Sequence, residues 1–363
     1  MSSPESVDRR QDERLLRLDF QCLESMPGGI NEVRLWWDDL LGCHRVGKRM
    51  DVSGLEHEEV LPEPATLQMI RHDNVVPVVA AARVDGYPAP MRVVELVTPY
   101  FPRGSVTDAL LKGETFLPSE AVAVVQATLR GLAELHEVHG IAHRDMKSGN
   151  ILLADDHTVA KVADLGLAGR FDQHGKVPAV NNPTLYSPPE LISTGQLSRA
   201  SDLFPLGLVL TELLAGPFPY ASYTTSGIAQ RLLGGRSPLS SKDVQLPVWT
   251  PRPLRRIINK ATQRDVSARY QSAREMDTAL AAAVIVDWSQ VETNAWEAPF
   301  THRRGCRIRV DAHPKRSGEV SIAIRINRGR GWRRDATDVL VASVRSAQAQ
   351  RVFDQATEMA SAR

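Results

Sequence analysis

Four polar side chains stand close enough along the chain to work together. Asp145, Lys147 and Asn150 share the octapeptide His143-Arg144-Asp145-Met146-Lys147-Ser148-Gly149-Asn150, and Asp164 opens Asp164-Leu165-Gly166 nineteen residues after Asp145. Two carboxylates and an amide oxygen are the donors a hard divalent cation prefers. A lysine among them adds positive charge for anionic oxygens. The set suits chemistry in which negative charge collects on oxygen atoms. A lone His-Arg-Asp arises by chance in surface loops. The full octapeptide, the apolar Ile151-Leu152-Leu153 after it and Asp-Leu-Gly at this spacing make chance a poor account.

The elements that must position these residues follow from hydrophobic period and turn signals. Residues 1–14 are a charged tail, read as disordered. Residues 15–99 are short apolar and β-branched segments punctuated by Pro27-Gly28-Gly29, Ser53-Gly54 and Asp85-Gly86. That is the pattern of a small antiparallel sheet with one inserted helix, near Leu61 to Arg71. Residues 100–286 turn helical. Ser119 can cap a helix with Val122, Val125, Leu129, Leu132 and Leu135 on its apolar side, closed by Gly140. A second helix, from about Ser201 to Leu214, is apolar all round and so belongs in the interior. Further helices are expected near Thr225 to Leu233, Pro253 to Thr262 and Ala273 to Ile285. Residues 287–299, with Trp288 and Trp296, read as a linker. In residues 300–363 the period changes to two. Cys306, Ile308 and Val310 alternate with polar residues, as do Val320, Ile322, Ile324 and Ile326, which gives two strands before a last helix near Val341 to Ala360.

The two motifs around Asp145 and Asp164 resemble those of the protein kinase family, of serine/threonine and bacterial type, over about residues 17 to 284. The resemblance implies an α+β, two-lobed kinase-like fold: a small antiparallel sheet plus one helix, then a larger helical lobe, here followed by a small C-terminal β-β-α domain. It implies ATP- and Mg²⁺-dependent transfer of a phosphoryl group to Ser or Thr of a protein substrate, autophosphorylation included. Asp145 would face the incoming hydroxyl, Lys147 would sit beside the transferred phosphate, and Asn150 with Asp164 would hold Mg²⁺. Lys48, in Val46-Gly47-Lys48, would touch the α- and β-phosphates. Its partner is Glu63 on the inserted helix, with Glu56, Glu58 and Glu59 as rivals. Gly28, Gly29, Val33, Val46, Thr98, Tyr100 and Leu152 would complete the ATP site. Downstream, Tyr186-Ser187-Pro188-Pro189-Glu190 resembles the close of an activation segment. Asp202 would tie down the catalytic loop, and Arg269 would pair with Glu190. Arg144 implies switching by phosphorylation of that segment; Thr184, Ser187 or neither takes the phosphate.

The glycine-rich loop departs from the family pattern. Met26-Pro27-Gly28-Gly29-Ile30-Asn31 keeps only the middle glycine, with Gly29 beside it. A second reading is therefore a pseudokinase, a scaffold that binds rather than catalyses. Asn182-Pro183-Thr184-Leu185-Tyr186 is a further departure, on the substrate side.

Hydrophobic content of 42%, 24% charged residues and a net charge of +1 fit a folded chain with no global pull toward nucleic acid or a membrane. The three cysteines, Cys22, Cys43 and Cys306, make neither a disulfide framework nor a metal knuckle, which points to a reducing, cytoplasmic setting. No apolar run reaches the ~18 residues a membrane span needs. Positive charge is uneven, however. Thr301 to Asp335 carries eleven Arg or Lys and three acidic residues. This basic block could recruit an anionic partner, an acidic protein or a nucleic acid, or could be a solvated face.

Overall fold

The computed structural model describes residues 20–26, 32–51, 53, 64–180, 182–335 and 337–362. Gly28, Gly29 and Glu63, with its rivals Glu56, Glu58 and Glu59, lie outside the described residues. The chain divides into two compact units, residues 1–54 with 78–100, and residues 55–77 with 101–363.

In the smaller unit the β-branched and aromatic segments form β1 (Phe20–Met26), β2 (Val33–Asp38), β3 (Cys43–Asp51), β4 (Ala80–Val84) and β5 (Val93–Pro99). They make one antiparallel sheet in the order β1-β2-β3-β5-β4. The expected inserted helix is α1 (Pro64–Met69), shorter than Leu61 to Arg71 and part of the larger unit. It begins on a proline, which a first helical turn accepts.

The larger unit is helical, with short strands between. α2 (Val106–Leu111) opens on a reciprocal cap, Ser105 with Asp108. α3 (Pro118–Ala133) also starts on a proline, and Ser119 is not its cap. The Ser119 amide and hydroxyl instead donate to Asp287, at 2.8 and 2.9 Å. A wider turn, Glu134–Val138, and Gly140 at φ 64° end this helix. β6 (Ile141–Ala142) pairs with β9 (Gly169–Arg170), β7 (Ile151–Leu153) with β8 (Ala160–Val162), and β10 (Val177–Pro178) with β11 (Gln196–Leu197). α4 (Glu190–Ser193) precedes β11, and α5 (Arg199–Ala215) follows it. Every residue of α5 from Ala200 to Leu214 is buried, as its all-round apolarity requires. α6 (Thr225–Leu233), α7 (Arg252–Ala261) and α8 (Ala273–Ala281) follow. A side chain at Gly207 would fall 2.7 Å from the Thr262 methyl, so glycine is what lets α5 and α7 close together.

Residues 287–299 are no linker. They hold β12 (Ser289–Glu292) and β13 (Ala295–Pro299), joined as a hairpin. With β14 (Arg307–Pro314), β15 (Val320–Asn327) and β16 (Trp332–Arg334) they form an antiparallel meander, and β17 (Val339–Val341) pairs with β15. The β-β-α expectation thus finds its two long strands and helix but undercounts the strands. The added ones are short, and β12 and β16 are mostly polar or charged, so they leave little apolar period to read. α9 (Ala347–Ser361) covers β14, β15 and β17. Val341 belongs to β17, and Ser346 caps the helix after it. Trp288 and Trp296 stand edge-on to Phe353 of α9, with ring centroids 5.5 and 5.3 Å away. Trp288 Nε1 also donates to Thr357 Oγ1 at 3.0 Å. Arg255 of α7 grips Asp354 of α9 with Nη2, at 2.7 and 3.0 Å, which joins this sheet to the helices.

The basic block is partly neutralised. Arg309 bonds Asp311, Glu292 and Glu297, Arg307 bonds Glu297, and Arg334 bonds Asp338. The hydrogen bonds it donates to Asp311 and Glu292 hold the Arg309 guanidinium above the usual arginine range. Among the described residues no helix is long and apolar enough to cross a membrane, and all three cysteines are free.

Candidate active site

The octapeptide follows β6, ends in the short turn Ser148–Asn150 that leads into β7, and is held from below by α5. Asp202, buried in the first turn of α5, accepts from the backbone amides of His143 (2.8 Å) and Arg144 (2.9 Å) and bonds His136 Nε2 (2.8 Å). Burial pushes its carboxyl up, but the His136 hydrogen bond and the nearby imidazoles outweigh that and keep it below its ordinary range. Arg144 is thereby held at φ 66°, a left-handed conformation rare for a side chain of this size. The turn projects the next residues as a group. Lys147 Nζ donates to Asp145 Oδ2 at 2.7 Å. Asn150 Nδ2 donates to the Asp145 carbonyl at 2.7 Å and to its Oδ2 at 3.1 Å.

Asp164 is brought to the same place by its neighbour. Ala163 N donates to the Asn150 carbonyl, and His143 bonds the Ala163 carbonyl, both at 2.9 Å. Asp164 itself sits at φ 60°, with Oδ1 accepting from Gly166 N. Farther down the chain, Arg269 pairs with buried Glu190 through two parallel bonds of 2.7 and 2.8 Å. A model of the protein kinase domain matches residues 28–280. The chain belongs to the protein kinase family.

Named relatives agree with that placement. The chain is 35% identical over 177 residues to a probable serine/threonine-protein kinase PBL15 of Arabidopsis thaliana, covering 47% of this chain and 40% of that one. It is 28% identical to serine/threonine-protein kinase 12 of the same plant, over 61% and 48% of the two chains. It is 36% identical to the receptor-like cytoplasmic serine/threonine-protein kinase 5D of Gossypium barbadense, described as EPD1-interacting, over 47% and 37%. The chain thus spans less than half the length of these relatives. All three are plant proteins, and the expectation of a bacterial type does not follow from them.

The kinase residues expected on ATP fall into two groups. In the smaller unit, cross-strand register puts Val33 opposite Lys48, Leu35 opposite Val46 and Thr98 opposite Val46, so Val33, Val46, Lys48 and Thr98 share one face of the sheet. Gly47 points to the other face, where a Cβ would lie 1.9 Å from Glu95 Oε1, a position already filled by the Trp36–Glu95–Arg49 hydrogen bonds. Tyr100 follows β5, its ring 5.4 Å from His44. In the larger unit, Asp145, Lys147 and Asn150 converge, and Leu152 of β7 is half-buried between two buried neighbours.

The donor set fits Mg²⁺. Asn150 commits its nitrogen to Asp145, which leaves its amide oxygen for a cation, and Asp164 supplies a carboxylate. Two protein oxygens suffice for an ion that takes its other ligands from phosphates and water.

One cluster escaped the sequence reading. Ser148 Oγ bonds Thr107 Oγ1 (2.6 Å) and Tyr186 OH (2.7 Å), and Tyr186 OH donates to buried Glu212 at 2.6 Å. Burial and the Glu212 charge push the Tyr186 phenol well above its usual range. This chain links catalytic loop, activation segment and α5. Ser148 and Tyr186 lay in motifs but were not read as partners, and Thr107 lay in none; the three hydroxyls meet through folding alone.

Proposed function

We propose that the chain transfers the γ-phosphate of ATP to Ser or Thr side chains of a protein substrate. The convergence of Asp145, Lys147 and Asn150 in one hydrogen-bonded loop anchored on Asp202 carries this reading. Asp145 orients the substrate hydroxyl and takes its proton as that oxygen bonds to phosphorus and the bond to the β-phosphate oxygen breaks. Lys147, paired to Asp145, offers charge to the transferred phosphoryl group. Mg²⁺ held by Asn150 and Asp164 would neutralise phosphate charge. Lys48 would take the α- and β-phosphates, with Glu63 as its partner and Gly28 and Gly29 beneath the phosphates. Val33, Val46, Thr98, Tyr100 and Leu152 would frame the adenine. The free cysteines support a cytoplasmic setting.

The test is incorporation of label from γ-labelled ATP with Mg²⁺, alone and with a generic protein substrate, beside Asp145→Asn. Transfer that vanishes in the variant is expected. Equal labelling would remove the assignment, and no labelling with intact ATP binding would favour the pseudokinase reading, which the reduced glycine loop motivates.

A second reading concerns the basic block. The connections β13–β14 and β15–β16 emerge at the same end of the antiparallel sheet, and residues 300–306 and 328–331 carry Arg303, Arg304, Arg328 and Arg330 with no acidic residue. We propose this end as the place where an anionic partner is recruited. Earlier elution of the fourfold Arg→Gln variant from a phosphate-bearing matrix is expected; unchanged elution would count against it.

A further inference from the structure

The family resemblance implies that Arg144 is a receptor for a phosphate on the activation segment. The sequence supplies no acceptor where one would be needed. From Leu165 to Pro183 there is no Ser, Thr or Tyr. The hydroxyls before Glu190 are Thr184, Tyr186 and Ser187, and each already has structural work. Ser187 Oγ accepts from Thr184 N at 2.8 Å, Thr184 Oγ1 accepts from Tyr186 N at 3.2 Å, and Tyr186 OH donates to Glu212. Tyr186 and Ser187 are also buried.

The Arg144 guanidinium is turned onto the segment's own backbone. Its Nε donates to the Leu167 carbonyl, Nη2 to the Ala168 carbonyl at 2.8 Å and Nη1 to the Pro178 carbonyl at 3.0 Å. Leu167 and Ala168 lie on the outgoing arm of the segment, and Pro178 lies on the returning arm. One cation therefore fastens both arms. Gly169 makes room for it, because a Cβ there would fall 2.7 Å from Arg144 Cζ. Gly169 has no need of glycine for its backbone conformation, since its φ is not positive; the reason is space. The arms are further tied by Phe171 N to Gly140 O and Ala179 N to Gly195 O, both 2.9 Å, and by a turn closed by Asp172 N on Lys176 O at 2.7 Å.

We propose that Arg144 is a positioning residue that orders the activation segment directly through its carbonyls, so that this kinase needs no phosphate on residues 165–188 to hold the segment in place. The proposal rests on the kinase reading for its activity consequence, and its structural half can be measured apart from catalysis.

The structural measurement uses the full chain with Asp145→Asn, shown by intact mass to carry no phosphate. Hydrogen exchange at the amides of Phe171, Asp172 and Ala179 should be slowed at least ~100-fold relative to unstructured peptide. Free exchange there, with slowing only after phosphorylation, overturns the proposal. In the activity measurement, wild type treated with phosphatase should transfer label within about twofold of untreated protein, since no segment phosphate is used. A loss of tenfold or more, traced by mass to a phosphate lost from residues 165–188, also overturns it. Gly169→Ala and Arg144→Gln should raise KM for the protein substrate roughly tenfold and leave KM for ATP unchanged, with partial recovery in Arg144→Lys. Equal losses toward ATP and protein, matched by a lowered Tm, would mean a merely structural arginine and would reject the positioning role. If wild type transfers nothing, the kinase reading fails, and the exchange measurement still decides whether the segment is ordered without phosphate.

Discussion

The catalytic loop and the C-terminal sheet both concentrate charge, and they settle it in opposite ways. Below the loop, few charges are used and each is buried against fixed partners. Asp202 takes two backbone amides and an imidazole, and Arg269 takes Glu190 through a two-bond fork. On the sheet many charges are used and most stay wet. Arg307 is 46% exposed and Glu292 65%, while Arg309 is shared among three carboxylates. The first arrangement has no spare partner and the second has several. Removing one group should therefore be costly in the first region and cheap in the second.

The largest effects are expected at the candidate site itself. Asp164→Asn should lower phosphoryl transfer about 10³-fold, and Lys48→Met about 10²-fold, with the unfolding midpoint unchanged. Steady-state transfer and a thermal melt check both. Lys48 is the only lysine in the first 111 residues, so no neighbouring ammonium can replace it. A variant that keeps wild-type turnover would remove its residue from the machinery.

Next comes the buried pair. Arg269→Gln leaves Glu190 buried without its counter-ion and should cost roughly 3–5 kcal/mol, read from urea unfolding. Arg309→Gln should cost only about 1 kcal/mol, because Arg307 and Arg325 remain beside Glu297 and Asp311. Equal costs for the two variants would break the contrast between the regions.

That contrast also explains how much could be read beforehand. In the loop the key partners are two and five residues apart, Lys147 and Asn150 on Asp145, so a motif carries the geometry. Interior helices were legible for a similar reason: α5 announces its burial by being apolar at every turn, and α6 matches its expected bounds, Thr225 to Leu233. On the sheet the partners are set by strand register. Arg309 meets Glu297 only because β13 and β14 pair them directly. Glu292 and Glu297 stood in a stretch that reads as a linker, since β12 is short and mostly exposed and its apolar alternation is faint. Read along the chain, residues 301–335 are a basic block; folded, Arg307 and Arg309 are answered by carboxylates from the neighbouring hairpin. Hydroxyl chains such as Thr107–Ser148–Tyr186 are harder still, because their members come from α2, the catalytic loop and the activation segment with no shared period.

The smallest effect is expected at Arg334. Its Nη2 lies 3.0 Å from Asp338 Oδ2, and its side chain is 61% exposed. Water screens such a pair, and holding a long flexible side chain in one rotamer offsets most of the attraction. Asp338 also accepts from Ser321 at 3.3 Å, so it keeps a partner when the arginine goes. Arg334→Gln should therefore shift stability by less than about 0.5 kcal/mol, and that shift should shrink further between 0.05 and 0.5 M salt as screening shortens the reach of the charge to roughly 4 Å. Urea unfolding of the full chain at the two salt concentrations measures it. A loss above about 2 kcal/mol, insensitive to salt, would show that this edge of the sheet behaves like the buried Arg269–Glu190 pair, and the division between the two regions would have to be redrawn.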